Sequence, residues 1–356
     1  MSHTRRLLVV GHFAERSIGA NGQVAMTRVF RDELRQAMPS ATVRSLDFGV
    51  PQWRLPSLFG RLWLELARTD VLVVLPGPRA VTWILPQCAA WRAVSRGEVH
   101  VIAVGGWLAR LAQTSAAARR NLQLCDGIYV QSHQMAKDFA AMGLRNAQYF
   151  PNARRFDSVR KPVLAEARPL RAVFLSRVIP AKGVEVAVHS VLAANRSRPG
   201  CCTLDVYGPV GTEDHEWFAS LERGFGSSVR YRGVVPLVDA QRTLHEYDVL
   251  VFPTTYAGEG FAGVIVEAMI AGLAILTSDW LSNAEVVDHG RNGFVLPAKD
   301  ADAFAAKLLQ LDLDRQLLLR LQQQAAQDAC NYHPDAVMPI LLERIGCREQ
   351  KLRALR

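Results

Sequence analysis

The chain has 356 residues, of which 49% are apolar and 21% are charged, a composition typical of globular proteins. It excludes a disordered or repetitive protein, and the length predicts two domains of about 150–200 residues each. The net charge of +9 is uneven: residues 1–168 hold 23 basic and 11 acidic residues, whereas residues 169–356 hold 19 and 22. This asymmetry indicates different partners for the two halves, unless it is only uneven surface decoration.

Short apolar runs alternate with helical patterns through the first half of the chain. Four runs are predicted to be buried parallel strands, at residues 7–11, 71–75, 100–106 and 127–132. Helical patterns lie between them, for example at residues 22–38 and 114–125. Such alternation predicts βαβ units, in which helices cover both faces of an open parallel sheet.

The segment SIGANGQVAMTRVF (17–30) lies between the first predicted strand and the first helix, and it contains Gly19, Asn21 and Gly22. Backbone amides at a helix start can donate hydrogen bonds to phosphate oxygens. Glycine turns before helices are common, so this segment is a weak motif when taken alone.

Residues 52–70 are predicted to form a basic amphipathic helix. Arg54, Arg61 and Arg68 recur every seven residues and therefore share one helical face. An apolar band accompanies them, formed by Leu55, Leu58, Phe59, Leu62, Trp63 and Leu66. Such a helix can lie on an anionic membrane surface, or it can cover a sheet and leave a solvated arginine edge. No basic motif interleaved with aromatic residues supports binding to nucleic acid.

Residues 160–170 contain two prolines and mixed charge, and we predict that they form a linker. The alternation then restarts, with strands predicted at residues 171–176, 203–208, 229–233, 248–253 and 273–278. The expected organisation is an N-terminal Rossmann-like domain, a C-terminal Rossmann-like domain and a final helix that packs back toward the first, over residues 1–165, 166–330 and 331–356. Ligands of such sheets bind outside the carboxyl ends of the strands, so a cleft is the expected site.

Two cations follow the first strand of the second half. Arg177 comes directly after this strand, and Lys182 with Gly183 opens the next helix. Permanent positive charge beside free backbone amides is a good site for an anion, and arginine suits bidentate phosphate contact. The alternative is a pair of solvated basic residues.

The segment GEGFAGVIVEAM (258–269) holds two carboxylates, Glu259 and Glu267, among three glycines. Glycines let backbone approach a ligand closely, and a carboxylate is a strong acceptor for sugar hydroxyls. Glu267 is predicted in or near the first turn of the following helix, where its charge would suit the helix dipole. The alternatives are a solvated loop residue and a helix-start carboxylate without a ligand.

In this order, Arg177, Lys182 and the E-x7-E pair resemble the retaining GT-B glycosyltransferases of family 4. The passage at residues 125–157 and the stretches LDVYGP, VRYRGVV and EVVDHGRNGFVLPAKD are also similar to landmarks of that family. The likeness covers almost all of the second half and only thinly the first. It implies the GT-B fold, with two Rossmann-like domains that face each other across a cleft.

The resemblance also implies roles for the matching residues. Arg177 and Lys182 would bind the diphosphate of a sugar nucleotide, Glu259 would face the donor sugar, and Glu267 would accept hydrogen bonds from the ribose. The remaining donor contacts would come from Gly208, Val234 and Val235 around the base, from Gly260, Phe261, Ala262 and Gly263 around the sugar and phosphates, and from the glycine-containing loop at Gly19, Asn21 and Gly22.

One departure from the family concerns a histidine that many members carry at the end of a first-domain strand. This chain has Gly105, Gly106 and Trp107 there, and His133 is predicted to begin a helix, so no catalytic histidine is assigned. The pair Asp312 and Asp314 has the spacing of a metal–diphosphate site, but it lies between two helical patterns and is predicted to break and cap them. We therefore expect no cofactor and no metal, because Arg177 and Lys182 can neutralise the leaving diphosphate.

The expected function is retaining transfer of a sugar from a UDP- or GDP-sugar to a glycan or lipid-linked acceptor, in bacterial polysaccharide or glycolipid biosynthesis. A nucleotide-sugar epimerase or hydrolase on the same scaffold is the alternative, and a non-catalytic binder is a third option. Six cysteines without metal spacing predict buried thiols, and the short apolar run at the start predicts a cytoplasmic protein. Peripheral attachment to the cytosolic face of the inner membrane stays open.

Overall fold

The structure is a computed structural model that describes residues 4–13, 22–49, 55–77, 81–164, 168–236 and 239–354. The chain divides into two compact units, one of Met1–Arg155 with Tyr332–Arg356 and the other of Phe156–Asn331. Within the described residues, each unit holds one six-stranded sheet, and all strand pairings are parallel. The predicted α/β class with two Rossmann-like domains is confirmed.

The sheet of the first unit has the strand order β2-β1-β3-β4-β5-β6. Its strands are β1 (Arg6–Gly11), β2 (Thr42–Asp47), β3 (Val71–Leu75), β4 (Glu98–Ile102), β5 (Gly127–Val130) and β6 (Ala147–Tyr149). The helices of this unit are α1 (Gly22–Ala37), α2 (Leu55–Leu66), α3 (Val81–Val94), α4 (Trp107–Thr114), α5 (Ala116–Gln123), α6 (His133–Ala141) and α14 (Pro334–Ala354).

The sheet of the second unit has the order β12-β11-β10-β7-β8-β9. Its strands are β7 (Leu170–Leu175), β8 (Cys202–Tyr207), β9 (Val229–Gly233), β10 (Val249–Phe252), β11 (Ala274–Ser278) and β12 (Gly293–Leu296). Its helices are α7 (Val184–Ser197), α8 (His215–Glu222), α9 (Ala240–Leu244), α10 (Gly263–Ile270), α11 (Asn283–Val286), α12 (Ala301–Leu313) and α13 (Arg315–Asp328).

Three strands have no counterpart among the predicted runs. Strand β2 lies at a sheet edge, where Thr42 and Arg44 are exposed, and its sequence TVRSLD lacks a continuous apolar run. Strand β6 has only three residues. Strand β12 has four residues and lies at an edge of the other sheet. Strands β2 and β6 bury few side chains and therefore leave a weak periodic signal, whereas β12 is mostly buried but has only four residues.

Helix α14 belongs to the first unit although it is last in sequence. Val337, Leu341 and Ile345 are buried in the same apolar cluster as strands β1 and β3. The backbone amide of Arg154 donates to the carbonyl of Tyr332 at 2.9 Å, which joins the two parts of the unit.

The division at residue 155 lies before the predicted linker at residues 160–170. The reason is visible at Arg160, whose backbone amide donates to Ile270 O at 3.0 Å and whose guanidinium donates to Tyr247 O at 3.3 Å. These bonds attach the proline-containing segment to the second unit, so the predicted boundary after residue 165 differs from the division observed.

Helix α2 covers the first sheet with the apolar band that was a candidate for membrane contact. Leu58, Leu62 and Leu66 are buried in the core of the unit. Arg61 is exposed, Arg68 lies beyond the end of the helix, and Arg54 is outside the described residues. Leu58, Leu62 and Leu66 therefore cover the sheet, whereas Trp63 of the same band is 38% exposed.

The prediction of buried thiols holds for Cys88, Cys125, Cys201 and Cys202, and it is wrong for Cys330, which is exposed. Burial raises the pKa of the Cys125 thiol to about 12, with a smaller contribution from Asp126. None of the described helices combines the length and the apolar character needed to cross a membrane.

Candidate functional site

The topological switch point of the second sheet lies between β7 and β10, which are adjacent in the sheet but distant in sequence. Connections leave these two strands toward opposite sides, which opens a crevice outside their carboxyl ends. Arg177 follows β7 and the loop at residues 253–262 follows β10. The predicted cations and Glu259 therefore come from the two strands that define this crevice.

Gly183 allows the loops after β7 and β10 to touch. It ends the short 3-10 turn Pro180–Lys182 in a left-handed conformation, with φ of 79°. A Cβ at this position would lie 2.1 Å from the carbonyl oxygen of Pro253. The amide of Thr255 also donates to Ala181 O at 2.8 Å, so Lys182 is held against the second loop by backbone contacts.

Lys182 and Glu259 form an ion pair in the described structure. The Lys182 Nζ lies 2.5 Å from Glu259 Oε2, and the two side chains are 9% and 11% exposed. Thr254 Oγ1 lies 3.4 Å from the same carboxylate oxygen. A buried pair of this kind keeps each charge compensated.

The ring of Tyr256 contacts both cations. Arg177 Cζ lies 4.9 Å from the ring centroid and Lys182 Nζ lies 4.8 Å from it. The Lys182 ammonium is also 5.5 Å from the ring centroid of Phe252. Sequence analysis missed Tyr256; its only available signal was an aromatic residue in the loop that follows a central strand.

The loop after β11 holds the Glu259 loop from the other side. Trp280 Nε1 donates to Tyr256 O at 3.0 Å, and Ser282 Oγ donates to Gly260 O at 2.6 Å. Leu281, between these two donors, has a φ of 47°, which is uncommon for a residue other than glycine. These residues were not predicted, because nothing in their local sequence relates them to residues 256–260.

The predicted contacts around the sugar and phosphates lie at the start of helix α10. Gly260, Phe261 and Ala262 are buried, and the helix begins at Gly263. Ala262 is the N-cap residue and has no side-chain hydrogen bond to offer the first amides. Helix N-termini attract anions through such amides.

Glu267 is half-buried and is the fifth residue of α10, so it lies in the second turn. The first turn contains no acidic residue because the helix begins directly after Ala262. The predicted stabilisation by the helix dipole is therefore not supported, since that effect falls off within the first turn.

Gly208 lies beside Arg177 and the predicted base-binding loop. Its φ is 137°, and a Cβ there would lie 1.7 Å from Ser176 O. The Gly208 amide donates to Gly233 O at 2.9 Å, and Tyr231 donates its hydroxyl to Gly208 O at 2.8 Å. Val234 and Val235 follow Gly233 in the sequence; Val234 is exposed and Val235 is half-buried.

Tyr247, Asp205 and Arg232 form a polar cluster at strands β8 and β9, in which Tyr247 is uncharged. Tyr247 donates its hydroxyl to Asp205 Oδ2 at 2.8 Å, and Arg232 Nε lies 3.1 Å from the same oxygen. Burial, followed by hydrogen bonds with Tyr207 and Asp205, raises the pKa of Tyr247 above its ordinary value. Tyr247 therefore stays protonated as a donor to Asp205.

In the first unit, Gly22 is the first residue of α1, whereas Gly19 and Asn21 lie outside the described residues. His133 begins α6 behind its N-cap Ser132, as predicted. Trp107 begins α4 and donates its indole N–H to Val104 O at 2.6 Å.

The two aspartates with metal-site spacing are engaged within the protein. Asp312 accepts from Arg198 Nε at 2.8 Å and pairs with Arg315. Asp314 is the N-cap of α13 and accepts from the Leu317 amide at 2.8 Å, so the predicted helix break and cap is confirmed. Across the described part of the chain, no cluster of three His, Cys, Asp or Glu is arranged to hold a metal.

The two parallel sheets define an α/β protein with the GT-B fold. The chain superposes on a crystal structure of Anabaena Alr3699/HepE in complex with UDP and glucose with a TM-score of 0.70 and 16% identity, over 96% of this chain and 100% of that one. Residues 169–314 match the family described as glycosyl transferases group 1.

Two curated relatives are similar over shorter segments. An amylovoran biosynthesis glycosyltransferase of Erwinia amylovora, AmsK, is 28% identical over 148 residues, which are 40% of this chain and 36% of that protein. The N,N'-diacetylbacillosaminyl-diphospho-undecaprenol alpha-1,3-N-acetylgalactosaminyltransferase of Campylobacter jejuni is 31% identical over 127 residues, which are 36% of this chain and 33% of that protein. The chain thus spans about a third of the length of these relatives.

Proposed function

We propose that this protein is a glycosyltransferase that uses a nucleoside diphosphate sugar as donor. One observation carries the proposal: Arg177, Lys182 and Glu259 meet at the carboxyl ends of β7 and β10, beside the start of α10. Two permanent cations suit a diphosphate, and the carboxylate suits sugar hydroxyls. The glycosyltransferase segment at residues 169–314 supports this assignment.

The donor is proposed to be a UDP- or GDP-sugar, with its diphosphate on Arg177 and Lys182. Glu267 accepts from the ribose hydroxyls, and the base contacts the loops at Gly208 and Val234. Lys182 must exchange its contact with Glu259 for phosphate oxygens when the donor binds, which leaves Glu259 free to accept from the sugar. The ion pair compensates the charges of both of these buried side chains.

The proposed transfer retains the anomeric configuration and needs no metal. Arg177 and Lys182 stabilise the negative charge that develops on the leaving diphosphate while the sugar passes through an oxocarbenium-like state. The leaving phosphate takes the proton of the acceptor hydroxyl from the same face of the sugar, so no side chain has to act as general base.

The acceptor is proposed to be a glycan or a lipid-linked saccharide in bacterial polysaccharide or glycolipid biosynthesis. The names of the relatives support this class, since one concerns amylovoran biosynthesis and the other a diphospho-undecaprenol substrate. The alternative, a nucleotide-sugar epimerase or hydrolase, is not favoured, because both relatives are named for glycosyl transfer.

A lipid-linked acceptor would bring the protein to an anionic membrane, and the first unit offers a surface for it. In its described residues, the large apolar side chains with high exposure all belong to α2, α3 or the residue after α5: Trp63, Leu64, Trp83, Val94 and Leu124. The indole N–H of Trp63 donates to Gln87 Oε1 at 2.8 Å, which joins α2 to α3. Exposed Arg61 and Arg68 add positive charge.

Replacing both Arg61 and Arg68 by glutamine is expected to lower binding to vesicles that contain anionic lipid by roughly tenfold or more, because each basic residue near such a surface contributes about 1 kcal/mol. Co-sedimentation at several salt concentrations measures the effect. The matched control is Val163→Ser with Leu164→Ser, which removes exposed apolar side chains from the second unit. Equal vesicle binding by the arginine variant and the wild type would contradict a role of Arg61 and Arg68 in membrane binding.

The donor assignment is tested by thermal shift with a panel of nucleotide sugars, since the true donor should stabilise the folded protein most strongly. Glu267→Ala is expected to weaken binding of that donor by roughly tenfold, through lost hydrogen bonds to a charged acceptor. Calorimetry measures the affinity, and Glu185→Ala on the exposed start of α7 is the control. Unchanged donor affinity in the Glu267 variant would refute its role.

Transfer should also persist in EDTA. Activity that returns only with added metal would contradict the metal-free mechanism.

A further inference from the structure

The side chain of Tyr256 lies where two like charges converge. Its ring centroid is 4.9 Å from Arg177 Cζ and 4.8 Å from Lys182 Nζ. Glu259 compensates only one of these cations directly, since its carboxylate is paired with Lys182 at 2.5 Å. The aromatic face therefore offers the second attractive interaction at this point, through its quadrupole.

The backbone of Tyr256 is held on three sides. Its amide donates to Thr254 Oγ1 at 3.2 Å, and its carbonyl accepts from Trp280 Nε1 at 3.0 Å and from the Glu259 amide at 3.0 Å. Trp280 comes from the loop after β11, so two neighbouring strands of the sheet determine where the ring lies. A ring on such a fixed support can hold the cations in place before a ligand arrives.

We propose that Tyr256 is a positioning residue, whose ring holds both Arg177 and Lys182 in place for the diphosphate of the donor. This inference rests on the proposed function. A carboxylate in the same place would occupy the N–H groups of both cations. The ring attracts the cations without accepting hydrogen bonds from them, so it does not compete with phosphate oxygens for the N–H groups of Arg177 or for those of Lys182 that do not donate to Glu259. Cations that are already in position lose less conformational freedom when the donor binds.

The test uses inorganic pyrophosphate as the probe, titrated calorimetrically into the full chain. Tyr256→Leu is expected to bind pyrophosphate roughly tenfold more weakly than the wild type, because two cation–π contacts are lost. Tyr256→Phe keeps the ring face and is expected to bind within about twofold of the wild type. In transfer assays the loss in Tyr256→Leu should appear mainly in KM for the donor, since the cations themselves remain.

The matched control is Phe294→Leu, which removes the ring 4.3 Å from Lys307 Nζ, a cation–π contact that does not involve the site. It should leave pyrophosphate affinity unchanged. Tyr256→Met provides a second non-aromatic variant of similar length, in case the leucine variant does not fold.

Wild-type affinity in a folded non-aromatic variant would overturn the inference, and so would a phenylalanine variant as weak as the leucine variant, because the hydroxyl would then be responsible. If Lys182→Met weakens pyrophosphate binding while Tyr256→Leu does not, only the positioning role fails. If the wild type itself does not bind pyrophosphate, the proposed function fails and this inference fails with it.

Discussion

Lys182→Ala is expected to lower the transfer rate by roughly 10²–10³-fold, the usual effect of removing one group that stabilises charge in a transition state. The ammonium is 2.5 Å from Glu259, over the ring of Tyr256, at the carboxyl end of the central strands. Steady-state kinetics with the donor identified by thermal shift measures the change.

The alanine variant also leaves the Glu259 carboxylate buried without its partner, which costs about 3–5 kcal/mol in comparable buried pairs. The double variant Lys182→Met with Glu259→Gln removes both charges and separates lost catalysis from lost stability. Lys307→Ala, which removes a lysine on α12, is the matched control and should keep wild-type activity. Wild-type rates in a folded Lys182 variant would refute the phosphate assignment.

Gly183→Ala is expected to destabilise the second unit by about 2–4 kcal/mol and to lower donor affinity. A φ of 79° is strained for alanine, at about 1–2 kcal/mol, and the added methyl would lie 2.1 Å from Pro253 O. Relief of that clash has to move the loop after β7 away from the loop after β10. Since Lys182 directly precedes Gly183, its distance from Glu259 would change.

Gly200→Ala is the control for backbone strain alone. Gly200 has a φ of 76°, and nothing lies within 4 Å of its expected Cβ. Urea denaturation should therefore show a loss of about 1 kcal/mol for Gly200→Ala and a clearly larger loss for Gly183→Ala. Equal losses in the two variants would mean that the contact with Pro253 contributes nothing to stability.

The order of elements could be predicted from the sequence because most strands of a parallel sheet are buried on both faces. Strands β3 and β10 are buried along their whole length, and each appears in the sequence as a continuous apolar run. In the edge strand β2, apolar residues alternate with polar ones. Its pairing with β1 depends on contacts that this local pattern does not encode. Edge strands therefore account for part of what was missed.

Local sequence patterns also indicated only some residues of the candidate site. Arg177, Lys182 and Glu259 lie in loops that follow strands, and Glu267 lies in the helix after the second loop; such positions can be recognised from local patterns. The pairing of Lys182 with Glu259 joins residues 77 apart, and the contacts of Tyr256 and Trp280 also depend on which strands are neighbours. Local periodicity carries no information about such neighbours, so these contacts required the tertiary structure.

The sequence by itself determined the two α/β halves, the segment of the second half that carries the cations, and the two glutamates. Tertiary structure decided which faces are covered. The apolar band of α2 was compatible with a membrane or with a sheet, and Leu58, Leu62 and Leu66 are buried against the sheet. A helical repeat states which side chains share a face, but the surface that meets this face is set by strand order and by the packing of distant segments.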